Sequence, residues 1–171
     1  MKAKLKENSV LPSSHTDTPI DPNKLKDQIT SMLLDRLSDE YTAYYFYLCA
    51  GNWCNNQGYF NAGKFFIVES NSELAHARGI QEFLISWNIQ PNIPQVQTNV
   101  EISGLVEIIN NAYKLEYDLL QQYIEISKKC IVNDLNTFRF LQKYVEIQND
   151  SVGEYSDLLN VLKLIDPTNK F

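Results

Sequence analysis

From Leu33 onward, core-type residues recur at steps of three and four, the period of one face of an α-helix. The first stripe is Leu33, Leu37, Glu40, Tyr44, Tyr47, Gly51 and Cys54. It predicts a helix that starts at Asp21-Pro22, with Asp as N-cap and Pro in the first helical position, and runs to about Asn55. The segment Asn55-Asn56-Gln57-Gly58 is turn chemistry, so a second helix should return antiparallel. Its stripe is Ala62, Phe66, Glu69, Glu73, His76, Ile80, Phe83 and Trp87, and it ends near Asn88. A third stripe follows a Ser103 N-cap: Leu105, Ile109, Ala112, Glu116, Leu119, Tyr123, Ile126 and Cys130. The fourth follows a cap at Asn133 or Asp134, reads Leu141, Val145, Gln148, Val152, Tyr155, Leu159 and Leu162, and ends at Asp166-Pro167.

Between the second and third stripes lie about 15 residues without periodicity, including Pro91 and Pro94. A loop of that length inside a domain needs a reason. About 15 extended residues can span roughly 50 Å, more than the roughly 40 Å of a 27-residue helix. The link is therefore long enough to cross the length of the bundle, so that the third helix starts at the same end as the second. The expected fold is all-α, a four-helix bundle with one long crossover between helices two and three. Residues 1–20 read as a flexible polar arm, 21–166 as the bundle and 167–171 as a short tail.

Composition narrows the function. The 171 residues include 44% hydrophobic and 21% charged side chains, suited to one folded domain with a real core. A net charge of −6 argues against nucleic acid as the main ligand and suits the attraction of cations. Cys49, Cys54 and Cys130 are odd in number and lack a CxxC spacing, which fits small buried hydrophobes in a reducing, cytoplasmic setting. No apolar run is long enough for a membrane span, and Lys2, Lys4 and Lys6 precede no apolar segment of the secretory kind.

The stripes are apolar except at one level. Helix one contributes Glu40, helix two Glu73 and His76, helix three Glu116 and helix four Gln148, each near the middle of its helix. Equal heights in a bundle put all five in one layer. A carboxylate on a core-facing stripe is costly without a compensating cation, and three together would repel one another. No Lys or Arg sits in these stripes, so metal ions resolve the conflict. Glu73-x-x-His76 sets a carboxylate and an imidazole one turn apart on one face, suited to a shared ion. Carboxylates with a single His favour iron or manganese over a structural zinc site.

A Glu, an ExxH, a Glu and a Gln on four successive helices resemble the ferroxidase centre of the ferritin family, and also the di-iron carboxylate bundles. The likeness covers about residues 24 to 164, including the crossover and the LQKYVEIQ stretch before Gln148. It implies a di-iron centre in a homo-oligomeric iron-storage protein that oxidises Fe(II) with O2 or peroxide. By the same resemblance, Glu40, Glu73 and His76 would bind the first iron, with Glu73 bridging. Glu116 and Gln148 would complete a weaker second site. Tyr47, two turns beyond Glu40, matches the family's ferroxidase-centre tyrosine, which would hydrogen-bond a ligand or supply an electron.

Some positions depart from the pattern. Gln148-x-x-Ser151 stands where bacterioferritins carry Glu-x-x-His, and is nearer to the Gln and small residue of animal heavy chains. Many bacterial ferritins place a Glu at the position of Ser151. The chain ends at Phe171, so the short fifth helix of typical ferritin cages is expected to be missing. Ser72, Ala75 and Arg78 occupy helix-two positions that are often acidic in mineralising subunits, which predicts weak mineral nucleation. Glu69 reads equally as a neighbour of the site or as an interface residue, and His15, in the arm, is not expected to be a ligand. Alternative functions are a structural subunit with an impaired second site, or a di-metal oxidoreductase acting on an organic substrate.

Overall fold

The computed structural model describes Pro22, residues 24–97 and residues 101–165. Their regular structure is four α-helices: α1 (Asp27–Asn56), α2 (Phe60–Ser86), α3 (Leu105–Asn133) and α4 (Leu135–Ile165). The 1–20 arm with His15, Asp21, and the 167–171 tail with the Asp166-Pro167 stop lie outside the described residues.

The helix ends refine the local signals. Pro22 is not helical, and α1 begins at Asp27 after an extended Lys26 that makes no side-chain cap. Leu25 and Ile29 are both buried, so packing against the bundle sets this start. After α1, Gly58 takes a φ of +84°, a left-handed conformation that costs glycine nothing. Helix α2 stops at Ser86, and Asn88 is left-handed at φ 59°, a conformation asparagine tolerates. The N-cap of α3 is Gly104 rather than Ser103. Ser103, one residue before the cap, donates from its backbone N–H (2.7 Å) and its hydroxyl (2.6 Å) to Glu107 Oε2 in the first turn. For α4 the cap is Asp134, whose Oδ1 accepts the Thr137 N–H at 3.0 Å and whose Oδ2 accepts the Thr137 hydroxyl at 2.6 Å. Asn133 is the last residue of α3.

Side-chain pairs give the helix directions. Glu40 meets His76, whereas Tyr47 stacks near Phe66, so α1 and α2 are antiparallel. Glu40 pairs with Tyr123 and Tyr47 with Glu116, so α1 and α3 are antiparallel too. Helices α2 and α3 must then be parallel, and the link between them has to travel the length of the bundle, as its length predicts. Across α2 and α4 the pairs Phe65–Tyr155, His76–Tyr144 and Phe83–Phe140 again run in opposite directions.

The core is continuous along this axis. Leu33, Leu37, Ile80, Leu84, Ile126 and Leu141 are fully buried, each contributing about 1.5–3 kcal/mol of burial. Helix three matches its predicted stripe at every position except the half-buried Leu105. Helix one likewise matches at every position except Tyr44, and the other two are rotated. On α1 the buried residue is Ala43, with Tyr44 half-buried. On α2 the buried line is Gly63, Phe66, Ser70, Glu73, Ala77, Ile80 and Leu84, leaving Ala62, Glu69, His76, Phe83 and Trp87 at its half-buried edge. On α4, Leu141, Gln148 and Tyr155 are buried as expected, and Tyr144 joins them while Val145, Val152, Leu159 and Leu162 are half-buried. No helix among the described residues is long and apolar enough to cross a membrane.

Candidate metal centre

Halfway along the bundle the apolar core is interrupted. Glu40 on α1, Glu73 on α2, Glu116 on α3 and Gln148 on α4 are 0%, 2%, 0% and 0% exposed. His76, one turn after Glu73, is half-buried. The carboxylates of Glu40 and Glu73 and the imidazole of His76 converge, with one ligand atom from each lying within 4.8 Å of the others. His76 Nδ1 is 3.1 Å from Glu73 Oε2 and 3.5 Å from Glu40 Oε2.

Tyrosines hold the outer oxygens of two carboxylates. The Tyr123 hydroxyl donates to Glu40 Oε1, and the Tyr47 hydroxyl donates to Glu116 Oε1. Tyr47 is thus beside the layer, as its spacing predicts, but its partner is the carboxylate of α3 and not Glu40 on its own helix. The remaining oxygens, Glu40 Oε2 and Glu116 Oε2, are buried without a hydrogen-bond partner, as are Oε1 and Nε2 of Gln148. Leaving a buried polar atom unsatisfied costs about 1–3 kcal/mol, more when it is charged. Four such atoms in one layer are affordable only if something else engages them. Hard oxygen donors with one imidazole are the donor set of iron or manganese, so Glu40, Glu73 and His76 fit such an ion.

The protonation of the layer says the same. Burial pushes Glu73 well above the carboxylate range; the His76 hydrogen bond opposes this, and the charges of Glu40 and Glu116 add to it. Burial also raises Glu116, to about 7, against the hydrogen bond from Tyr47 and with the charge of Glu40 adding. For His76, burial alone would lower the pKa, but hydrogen bonds and charges of Glu40 and Glu73 outweigh it and bring it up to about 10. Without a metal, a proton on His76 supplies the positive charge that no Lys or Arg provides. Cations entering here therefore compete with protons.

Around this layer, Glu69 is half-buried, and burial raises its carboxyl above the usual range. Ser151 is half-buried one turn after Gln148, and Ser72, Ala75 and Arg78 are exposed. Cys54 and Cys130 are buried and Cys49 is half-buried, none in a disulfide. Sequence reasoning gave no role to Tyr123, Tyr144 or Tyr155. All three are fully buried beside the layer, and Tyr144 donates to the His76 carbonyl at 3.0 Å. One signal was available: Glu116 precedes Tyr123 by the same seven positions that separate Glu40 from Tyr47.

The likeness to known proteins is broad. The chain is 26% identical over 148 residues to a probable bacterial non-heme ferritin-like protein of Haemophilus influenzae, covering 85% of this chain and 90% of that protein. It is 25% identical over 142 residues to the bacterial non-heme ferritin of Escherichia coli, covering 82% and 86%. Among solved structures, Chlorobium tepidum ferritin aligns with a TM-score of 0.80 at 23% identity, over 85% of this chain and 90% of that one, a likeness of fold. The family model for the ferritin-like domain matches residues 30–165. That span contains the layer and nearly all of the four helices that carry it, and the chain belongs to the ferritin-like family.

Proposed function

We propose that this chain is a ferroxidase that binds two Fe(II) per subunit in the mid-bundle layer, oxidises them to Fe(III) and thereby stores or detoxifies iron. The observation that carries this reading is the set of buried ligand atoms without a hydrogen-bond partner on Glu40, Glu116 and Gln148, together with the Glu73–His76 pair. The relatives named as non-heme ferritins support iron as the cargo.

Iron is the substrate, and the residues divide the work of holding it. Glu40, Glu73 and His76 hold the first Fe(II); Glu73 is shared with a second, which Glu116 and Gln148 complete. Two Fe(II) give up two electrons, enough to reduce O2 with two protons to H2O2, or H2O2 with two protons to water. Tyr47 keeps Glu116 turned so that one oxygen faces the layer, and its phenol is a further electron donor close to the ions. Loading releases the His76 proton and the protons that the raised carboxyls retain, so binding tightens as pH rises.

Ser151 supplies neither a carboxylate nor an imidazole, which favours a second site weaker than the first. A subunit whose second site is too weak to fill would serve as a structural partner in the assembly. We place the protein in a cytoplasmic setting, consistent with three cysteines outside any disulfide. We also take it to be a homo-oligomer.

Anaerobic Fe(II) titration with light scattering tests the proposal, giving ions per chain and assembly size together. The expected result is close to two Fe(II) per subunit, with near-ultraviolet Fe(III) absorbance appearing on exposure to O2. Glu73→Ala, which removes the shared ligand, should abolish both. Iron binding by the parent no better than by Glu73→Ala would sink the ferroxidase reading.

A further inference from the structure

We propose that Tyr123 is a positioning residue of the first iron site, the counterpart on α3 of Tyr47 on α1. The inference rests on the ferroxidase reading above and deepens it. On both α1 and α3 a carboxylate precedes a tyrosine by seven residues, two turns of helix: Glu40 with Tyr47, and Glu116 with Tyr123. Because the two helices run antiparallel, each tyrosine arrives level with the other helix's carboxylate. The hydrogen bonds are accordingly exchanged, Tyr47 to Glu116 and Tyr123 to Glu40. In both pairs Oε1 is taken by the phenol and Oε2 has no hydrogen-bond partner. Both phenols are fully buried, so water cannot replace the carboxylate as acceptor.

Tyr123 is itself held in place. Its ring stacks on Tyr144 of α4, with centroids 5.1 Å apart and planes 14° from parallel. The Tyr144 hydroxyl in turn donates to the backbone carbonyl of His76 at 3.0 Å. Gly79 makes that approach possible, since a Cβ there would lie 2.6 Å from the Tyr144 hydroxyl. One chain of contacts thus ties Glu40 on α1, through Tyr123 and Tyr144, to the helix turn that carries His76. Its effect is to restrict Glu40 to a single metal-facing oxygen, Oε2, the one 3.5 Å from His76 Nδ1. Tyr47 does the same for Glu116 and hence for the second ion.

Exchanged bonds predict crossed consequences. Anaerobic Fe(II) calorimetry on Tyr123→Phe should show first-site affinity down by about 10–100-fold, the usual effect of losing a ligand's hydrogen-bond partner, with the second site unchanged. Tyr47→Phe should do the reverse. With Co(II) as a spectroscopic probe, Tyr123→Phe should lower the intensity of the visible bands, because Glu40 is released to bind through both oxygens and the coordination number rises. Ile126→Val, a packing change one turn away on α3, should leave both readouts as in the parent. Should Tyr123→Phe not fold, Tyr144→Phe keeps the ring stack, loses the bond to His76, and should weaken the first site alone. Equal loss at both sites, reproduced by Ile126→Val, would reduce Tyr123 to a core residue and overturn the inference. A parent that binds two Fe(II) beside a Tyr123→Phe variant with unchanged affinity and Co(II) spectrum overturns it alone. A parent that binds no iron overturns the ferroxidase reading and this inference with it.

Discussion

Across α1 and α3 the polar layer is built symmetrically, a Glu and a Tyr from each helix exchanging hydrogen bonds. Across α2 and α4 it is not: α2 carries Glu73-x-x-His76, whereas α4 carries Gln148-x-x-Ser151. The symmetric half orients two equivalent carboxylates; the asymmetric half decides what charge each one meets. Beside Glu40 stands His76, whose imidazole is protonated up to about pH 10. The corresponding residues of α4 are neutral, and burial raises the Glu116 carboxyl to about 7. Under the proposed function, one frame would therefore hold two Fe(II) sites of unequal strength.

Metal loading should remove the difference, and this is the largest effect. Glu73, Glu116 and His76 all have folded-state pKa values above their ordinary ones. Each contributes stability that is fully present below its ordinary pKa and is lost as pH rises through the folded value, near 7 for Glu116 and near 10 for His76. The metal-free protein should therefore melt at progressively lower temperature between pH 5 and pH 8. Zn(II), a redox-inert stand-in, takes the place of these protons, and should stabilise the fold by about 2.7 kcal/mol at a hundredfold excess over its Kd. At one fixed Zn(II) concentration the gain in Tm should be larger at pH 8 than at pH 6; scanning calorimetry showing the opposite trend would contradict the assigned protonation.

Opposite responses of the two symmetric carboxylates come next. Glu116→Gln removes a group that must be protonated to be comfortable, so metal-free stability at pH 8 should rise by about 1–3 kcal/mol and change little at pH 5. Glu40→Gln removes one of the two carboxyl groups that His76 Nδ1 meets and should lower stability at neutral pH. Urea unfolding of both variants checks the pair, and a common sign would mean that His76 does not distinguish the two halves.

The smallest expected effect repairs the asymmetry. Ser151→Glu adds a hard anionic ligand one turn after Gln148, and should tighten the second Fe(II) site by about tenfold, or roughly 1.4 kcal/mol. The first site should keep its affinity. Anaerobic calorimetry resolves the two steps, and a gain confined to the first would place Ser151 away from the second ion.

The stripes of the sequence determined much of this: four helices, five polar residues at one level, and a link long enough for a crossover. These follow from helix periodicity and chain reach, which are local properties. Tertiary structure decided the rotation of each helix about its axis. A stripe of period three to four is compatible with neighbouring phases, so Ala43 rather than Tyr44 is buried, and the buried line of α2 runs through Ser70 and Ala77. Packing also overrode a strong start signal at Pro22, since Leu25 and Ile29 anchor a helix beginning at Asp27. Above all it decided the partners of the tyrosines. The seven-residue spacing from Glu to Tyr is visible on α1 and on α3, but only the antiparallel offset of the two helices turns it into an exchange between them. That offset is a property of the packed pair, which neither helix encodes alone.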